Sequence, residues 1–188
     1  EIIRKGIDLE FESEVTDVVF KGTDSTTTIK DKDGNISQVH AKFIIDSSGY
    51  GRVLPRLLDL DMPSTVTENS SIFVHVKDAN RPAGQEGTLI SFDIIETKVW
   101  IWVIPFSNGN TSLGIVGPTS FINSIADTNE EAIRIMFEKS SYYKDRFKDL
   151  EFLFEPKKIE DYSCAVKQFY GDGFALTGNS SEFLDPVF

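Results

Sequence analysis

Alternation of hydrophobic and polar side chains runs through much of the chain, and its period of two predicts strands. It first occurs over Gly6–Phe20, which we therefore predict to be a strand. Residues 26–29 and 36–41 continue the alternation on either side of Asp33-Gly34. An Asp-Gly pair between two alternating segments is a strong signal for a β-hairpin. A small antiparallel ribbon is therefore predicted near the N-terminus.

The pattern changes at Phe43-Ile44-Ile45, which is hydrophobic without interruption and leads into Asp46-Ser-Ser-Gly49. A helical pattern over 53–60 follows, with Pro55 in its first turn. A short buried strand that delivers an acid and small residues into a glycine loop is how α/β folds form a ligand crevice. These residues predict a nucleotide site, with an ordinary strand-to-helix turn as the alternative.

A second segment of this kind closes the chain. Phe174-Ala-Leu176 is a short apolar run, and Thr177-Gly178 ends it in a tight turn. Asn179 opens a polar loop whose side chains can hydrogen-bond ligand hydroxyls. Asp185-Pro186 then indicates a turn into a helix, because proline fixes φ and lacks a donor.

Between these segments, residues 66–117 contain four alternating or apolar segments separated by turns and predict a β-meander. Within it, a period of two places Trp100, Trp102 and Ile104 on one face, followed by Pro105. Two indoles there form a large apolar wall. They either line a substrate site or fill a core, and the pattern leaves both open.

The remaining segments predict secondary structure only. Residues 127–139 predict a helix, with either Thr128 and Glu131 or Asp127 and Glu130 as a capping box. Residues 140–150 predict a second short helix, and residues 157–168 predict a strand. His40 and His75 are interpreted as surface or packing residues.

The amino-acid composition argues against several classes of function and site. The net charge of −11, from 19 basic and 30 acidic residues, argues against a nucleic-acid partner. The single cysteine, Cys164, excludes an internal disulfide and a cysteine metal cluster, and it fits a cytoplasmic location. The sequence predicts no membrane span, since no apolar run reaches about 20 residues. No nucleophile–base pair, zinc ligand set or carboxylate dyad is evident, so catalytic residues stay unassigned and a cofactor must supply the chemistry.

Three motifs resemble the superfamily of flavin-dependent halogenases and aromatic hydroxylases. The first resembles an internal motif of its FAD-binding region, and the second a distal flavin motif in which Asn179 replaces the usual Asp that takes a ribityl hydroxyl. The third, WIWVIP, matches the Trp-x-Trp-x-Ile-Pro signature of flavin-dependent halogenases. The resemblance implies these FAD-binding residues: Asp46, Ser48, Gly49, Arg52, Gly178, Asn179, Asp185 and Pro186. It implies these substrate-pocket residues: Trp100, Trp102, Ile104 and Pro105.

The implied fold class is α+β, part of an FAD/NAD(P)-binding α/β fold. A β-meander substrate domain (63–160) is inserted between two pieces of a discontinuous FAD-binding domain (1–62 and 161–188). The implied function is halogenase-like oxidation of an aromatic or hydrophobic small molecule through reduced flavin and oxygen, with a flavin reductase as partner. The alternatives are a dehydrogenase or reductase of the geranylgeranyl-reductase type and a non-catalytic β-rich binding module.

The ends of the chain carry one more expectation. The sequence opens on Glu1 without a methionine and closes at Phe188, directly after the distal motif. In the family, a glycine-rich dinucleotide fingerprint and the lysine used in halogenation precede these motifs. We therefore expect an internal fragment that is inactive alone and does not retain FAD.

Overall fold

The computed structural model describes residues 1–63, 68–160, 162, 164–185 and 187. The helices of this part are α1 (Val53–Leu57), α2 (Thr119–Ser124) and α3 (Asn129–Lys139). Its strands are β1 (Ser13–Lys21), β2 (Asp24–Asp31), β3 (Ile36–Ala41), β4 (Ile44–Asp46), β5 (Asp61–Met62), β6 (Asn69–Lys77), β7 (Ser91–Glu96), β8 (Val99–Pro105), β9 (Asn110–Pro118), β10 (Glu151–Phe152), β11 (Lys157–Glu160), β12 (Ala165–Val166), β13 (Tyr170–Gly171) and β14 (Phe174–Leu176).

The chain divides into two units, and both are discontinuous in sequence. The first unit comprises Glu1–Thr65 and Cys164–Phe183, and the second comprises Val66–Ser163 and Leu184–Phe188. The assignment of cofactor binding to one region and substrate binding to the other stays a prediction.

Three small sheets form the first unit. Strands β1, β2 and β3 pair antiparallel in that order, and the β2–β3 pair is the hairpin that Asp33-Gly34 predicts. A second sheet has the order β13-β14-β4, in which β14 and β4 run parallel, and β5 pairs with β12. A hydrophobic cluster supports these sheets: Val18, Leu54, Leu60, Val166, Phe174 and Leu176.

One antiparallel sheet dominates the second unit, with the order β10-β6-β9-β8-β7 and with β11 also pairing with β6. One face of this sheet packs against α2 and α3, because alternate side chains of β6, β8 and β9 point toward the helices. Helix α3 contributes Ala132, Ile133, Met136 and Phe137 to that core. The helix begins at its predicted cap, where Thr128 Oγ1 accepts a hydrogen bond from the Glu131 amide. The mixed α/β fold with antiparallel sheets is therefore confirmed.

Two predictions near the N-terminus were too long. The strand predicted over Gly6–Phe20 begins only at Ser13, where its pairing with β2 starts, and no strand of the described residues pairs with residues 7–11. Phe11 in that stretch is 75% exposed. The helix predicted over 53–60 ends at Leu57.

Three predictions in the rest of the chain were wrong. Residues 140–150 form turns instead of a helix, although Phe147 and Leu150 are buried as a helical stripe suggests. The predicted strand over 157–168 is two short strands, β11 and β12, one in each unit. The region 66–117 is also no simple meander, since β6 pairs with β9 and not with β7. Alternation in sequence reveals a strand but not its neighbour.

None of the helices in the described part of the chain combines the length and the apolar character that a bilayer crossing requires.

Candidate functional site

Strands β4 and β14 place the two predicted flavin motifs side by side. They run parallel, with Phe174 opposite Ile44 and Leu176 opposite Asp46. Because parallel strands end at the same edge, the loops Ser47–Gly51 and Thr177–Ser181 emerge together. The Thr177 amide also donates to the Asp46 main-chain oxygen at 2.9 Å. This edge is where α/β folds bind nucleotides.

Asp46 organises both loops. One carboxylate oxygen accepts from the Ser48 amide at 2.7 Å, and the other accepts from the Leu54 amide at 2.7 Å. Its main-chain oxygen accepts from Ser180 Oγ at 2.7 Å. Asp46 is only 6% exposed, so these contacts hold a buried carboxylate in place. Asp46 therefore shapes the site from beneath.

Arg52 joins the two loops at a second point. Its Nε and Nη2 donate to Asp61 Oδ1 at 2.8 and 2.5 Å, and Nη2 also donates to the Ala165 carbonyl at 3.1 Å. Its Nη1 donates to the carbonyls of Asn179 and Ser181 at 3.1 and 3.2 Å. A guanidinium has five N–H donors, so all are engaged within the protein. Arg52 therefore supports the loop of Asn179, and no donor of this side chain is left for a ligand.

The open side of the site consists of small and neutral groups. Gly49 and Gly178 both have φ of +60°, and a Cβ at either position would meet nothing within 4 Å. A left-handed φ without steric contact suits glycine and leaves backbone accessible to a ligand. Ser48 Oγ accepts from the Val53 amide at 2.9 Å, which still allows its hydroxyl to donate.

Tyr50 is a residue of this edge that the sequence reasoning missed. Burial and the nearby Cys164 raise its pKa above the ordinary value of 10.0, against an opposing hydrogen bond with the Asn179 side chain. Tyr50 is 59% exposed. An aromatic residue inside the glycine loop was the available signal in the sequence.

These residues fit FAD. The loops 47–51 and 177–181 contain no acidic residue, although the chain as a whole carries −11. The carboxylate of Asp46 is buried beneath them. A pyrophosphate therefore meets no carboxylate from these two loops, and hydroxyl and amide groups suit a ribityl chain.

The tryptophan motif lies in the second unit, on the sheet face opposite the helices. Val99, Ile101 and Val103 of β8 are at most 2% exposed and form the core with α2 and α3. Trp100 and Trp102 alternate with them, and their ring centroids are 6.0 Å apart. The tryptophans therefore do not fill the helix-packed core. Ile104 and Pro105 are half-buried on the same strand.

Each indole N–H of this motif has an acceptor. Trp102 Nε1 donates to Ser112 Oγ at 3.1 Å, and Trp100 Nε1 donates to Asp185 Oδ2 at 3.1 Å. The wall therefore offers aromatic and aliphatic surface, and its indole donors are already used. Asp185 thus contacts one of the predicted substrate residues, while Pro186 lies outside the described residues.

Gly114 of β9 makes room for the Trp102 ring, since a Cβ there would lie 2.2 Å from Trp102 Cζ2. Gly114→Ala is expected to displace the indole and lower the free energy of unfolding by about 1–3 kcal/mol, the usual cost of overpacking. Urea unfolding and the tryptophan emission spectrum check both effects. Gly117→Ala on the same strand is the control, because its nearest contact, at 3.1 Å, is a single Val99 methyl. Equal effects of the two substitutions would contradict the packing argument.

No group of three or more His, Cys, Asp or Glu side chains could hold a metal ion within the described ranges. The two histidines take part in other contacts. His40 Nδ1 lies 3.0 Å from Thr26 Oγ1, and His75 packs between the rings of Phe106 and Phe154. The interpretation of both as surface or packing residues is consistent with these positions.

The position of the paired loops at the ends of parallel strands is typical of nucleotide-binding α/β folds. The chain belongs to the tryptophan halogenase family, which it matches over residues 2–188. The resemblance inferred from the three motifs is thereby confirmed, and the family is flavin-dependent, with FAD bound in a halogenase of the same fold.

The chain is also similar to individual halogenases and flavoproteins. The chain is 28% identical over 154 residues to a 1H-pyrrole-2-carbonyl peptidyl-carrier protein brominase from Pseudoalteromonas luteoviolacea, covering 80% of this chain and 38% of the relative. A flavoprotein/dehydrogenase structure from Cytophaga hutchinsonii is 51% identical with a TM-score of 0.86, covering 98% of this chain and 45% of the other. The flavin-dependent brominase Bmp2 is 26% identical with a TM-score of 0.81, covering 98% and 47%. The chain thus spans less than half the length of these relatives.

Proposed function

We propose that this chain is part of an FAD-dependent halogenase-type oxidoreductase that acts on an aromatic or hydrophobic small molecule. One observation supports this most strongly: the loops Ser47–Gly51 and Thr177–Ser181 lie together at the ends of parallel strands β4 and β14. Family membership supplies the class of chemistry.

FAD would be held by five residues of the open edge: Ser48, Gly49, Tyr50, Gly178 and Asn179. Asn179 replaces the aspartate of the family motif, and its amide can both donate to and accept from a hydroxyl. When bound, reduced FAD supplies the reaction with oxygen that oxidises a halide. Asp46 and Arg52 keep the two loops in register without touching the cofactor.

The tryptophan wall supports an aromatic or hydrophobic substrate. Trp102, Ile104 and Pro105 offer half-buried apolar surface, and the donors of both indoles are satisfied within the protein. Recognition at this wall would rest on stacking and apolar burial, which favour planar rings. The brominase from Pseudoalteromonas luteoviolacea acts on a pyrrole carried by a peptidyl-carrier protein, and we propose a similarly small aromatic group here.

A dehydrogenase or reductase is the second candidate. Its support is the 51% identical structure described as a flavoprotein/dehydrogenase. The two functions differ in their use of halide. The complete polypeptide, supplied with a flavin reductase, reduced nicotinamide, oxygen and bromide or chloride, should give a product with the halogen isotope pattern in mass spectrometry. A reduced or desaturated product that forms equally without halide would favour the dehydrogenase. A complete polypeptide that is colourless, and so contains no flavin, would favour the non-catalytic binding module.

The 188-residue chain alone is expected not to retain FAD. The glycine-rich fingerprint that binds the FAD pyrophosphate in this family is not among its residues, and that contact is a large part of dinucleotide affinity. Dialysis of the purified chain after FAD loading should remove the flavin absorbance, and the chain should be inactive both before and after dialysis. A chain that stays yellow would contradict this expectation. We also propose a cytoplasmic location, since the single cysteine fits a reducing compartment.

A further inference from the structure

The carboxylate of Asp185 makes two contacts that fix different parts of the second unit. Oδ2 accepts the Trp100 indole N–H at 3.1 Å, and Oδ1 accepts the Val187 amide at 2.8 Å. Asp185 and Trp100 are 85 residues apart in sequence. The side chain therefore links the Val187 amide to the Trp100 indole of strand β8.

Trp100 depends on this contact for its position. Only 6% of the residue is exposed, and a buried indole N–H without a partner is unfavourable. The Trp102 indole N–H donates to a different acceptor, Ser112 Oγ, so the two indoles are held by separate hydrogen bonds. The ring of Trp100 in turn packs edge-on against Phe92 at 6.4 Å and lies 6.0 Å from Trp102. A rotation of Trp100 would therefore change the surface around Trp102.

We propose that Asp185 is a positioning residue that sets the shape of the tryptophan wall by holding the Trp100 indole. Its role toward substrate rests on the proposed function, whereas the hydrogen bond itself does not. In this proposal Asp185 acts through Trp100 and does not contact FAD. Substitutions at Asp185 should therefore alter substrate selection while FAD affinity stays unchanged.

The hydrogen bond can be tested directly, because the chain contains only two tryptophans and gives two indole N–H signals in an NMR spectrum. Asp185→Ala should move one signal and speed its hydrogen exchange, and Trp100→Phe should remove that same signal. Ser112→Ala is the matched control, since it removes the acceptor of the other indole and should move only the Trp102 signal. Asp185→Asn keeps an oxygen acceptor, so the same signal should move less and exchange more slowly than in Asp185→Ala.

The pattern of signals decides the structural part. If Asp185→Ala leaves both indole signals unmoved, the proposal is overturned. If Asp185→Ala does not fold, Asp185→Asn and Trp100→Phe supply the same comparison, because Asp185→Asn weakens the bond at nearly constant volume and Trp100→Phe removes its donor.

The role in substrate selection is tested in the complete, FAD-loaded polypeptide. Trp100→Phe and Asp185→Ala should each raise KM for the aromatic substrate about tenfold, the effect of losing one hydrogen bond to a charged group. kcat at saturation and the dissociation constant of FAD should change little. An equal fall in kcat with unchanged KM, or a weakened FAD affinity, would overturn the positioning role. A wild-type protein without flavin-dependent turnover would instead refute the proposed function, and the NMR result would stand.

Discussion

Asp78→Ala is expected to lower the free energy of unfolding of the second unit by about 3–5 kcal/mol, the range for breaking a buried ion pair. The Asp78 side chain is 0% exposed. It accepts from Arg146 Nη2 at 2.5 Å, from Thr111 Oγ1 at 2.6 Å and from Arg81 Nε at 3.3 Å. Its removal would leave two arginines without their shared carboxylate. Urea unfolding followed by far-UV circular dichroism measures the loss.

Glu151→Gln is the control for Asp78→Ala. It breaks the ion pair between Glu151 and Lys77. The side chain of Lys77 is 58% exposed and that of Glu151 is 62% exposed, and such a surface pair contributes about 0.2–1 kcal/mol. If both substitutions cost the same, the buried network does not stabilise the second unit in the way described.

The contribution of Asp78 should also depend on pH. Burial opposes its ionisation, but hydrogen bonds from Arg146, Thr111 and Arg81 outweigh burial, so its pKa lies below the ordinary 3.8. A carboxylate with a lowered folded-state pKa stabilises the fold fully above the unfolded-state pKa and loses this effect as pH falls through the folded value. The difference in stability between wild type and Asp78→Asn should therefore be full at pH 7 and shrink below about pH 4.

Sequence patterns located the parts of the site that depend on local chemistry. Glycine in a turn, an acid at a strand end and an Asp-Gly hairpin all act through neighbouring residues, and the loops after Asp46 and Leu176 lie where these signals indicated. The sequence also placed Trp100 and Trp102 on one face. It could not tell which face the helices cover, because both faces of β8 are hydrophobic.

Such patterns could not predict contacts between segments that are distant in sequence. The role of Arg52 toward the cofactor stays a prediction, but its hydrogen bonds to Ala165, Asn179 and Ser181, 113 to 129 residues away, could not be foreseen from sequence. The turns at 140–150 were mistaken for a helix for a similar reason. Arg146 in that stretch bonds Asp78, 68 residues earlier, and Ser140 Oγ bonds Asp93. Tertiary partners decided the conformation there, and periodicity does not report them.

Arg52→Ala is expected to weaken FAD binding in the complete polypeptide about 10- to 100-fold, although Arg52 reserves no donor for the cofactor. The substitution removes the donors of three carbonyls, each bond contributing about 1 kcal/mol, and it leaves Asp61 unpaired. The loop that carries Asn179 would then lose its fixed position. The unfolding free energy of the first unit should fall by about 3 kcal/mol at the same time. Fluorescence titration with FAD and urea unfolding measure the two effects.

Two variants separate loop positioning from direct contact with phosphate. Arg52→Lys keeps the positive charge, but one ammonium with three N–H donors cannot reproduce the five hydrogen bonds that Arg52 makes to four acceptor atoms, so it should weaken FAD binding nearly as much as Arg52→Ala. Asp61→Asn keeps the bonds from Arg52 to the three carbonyls and should weaken FAD binding much less. A direct phosphate contact predicts the opposite for Arg52→Lys, with near-normal affinity and a steep dependence of that affinity on salt. Near-normal, salt-sensitive binding by Arg52→Lys would therefore show that the guanidinium leaves its protein partners when FAD binds.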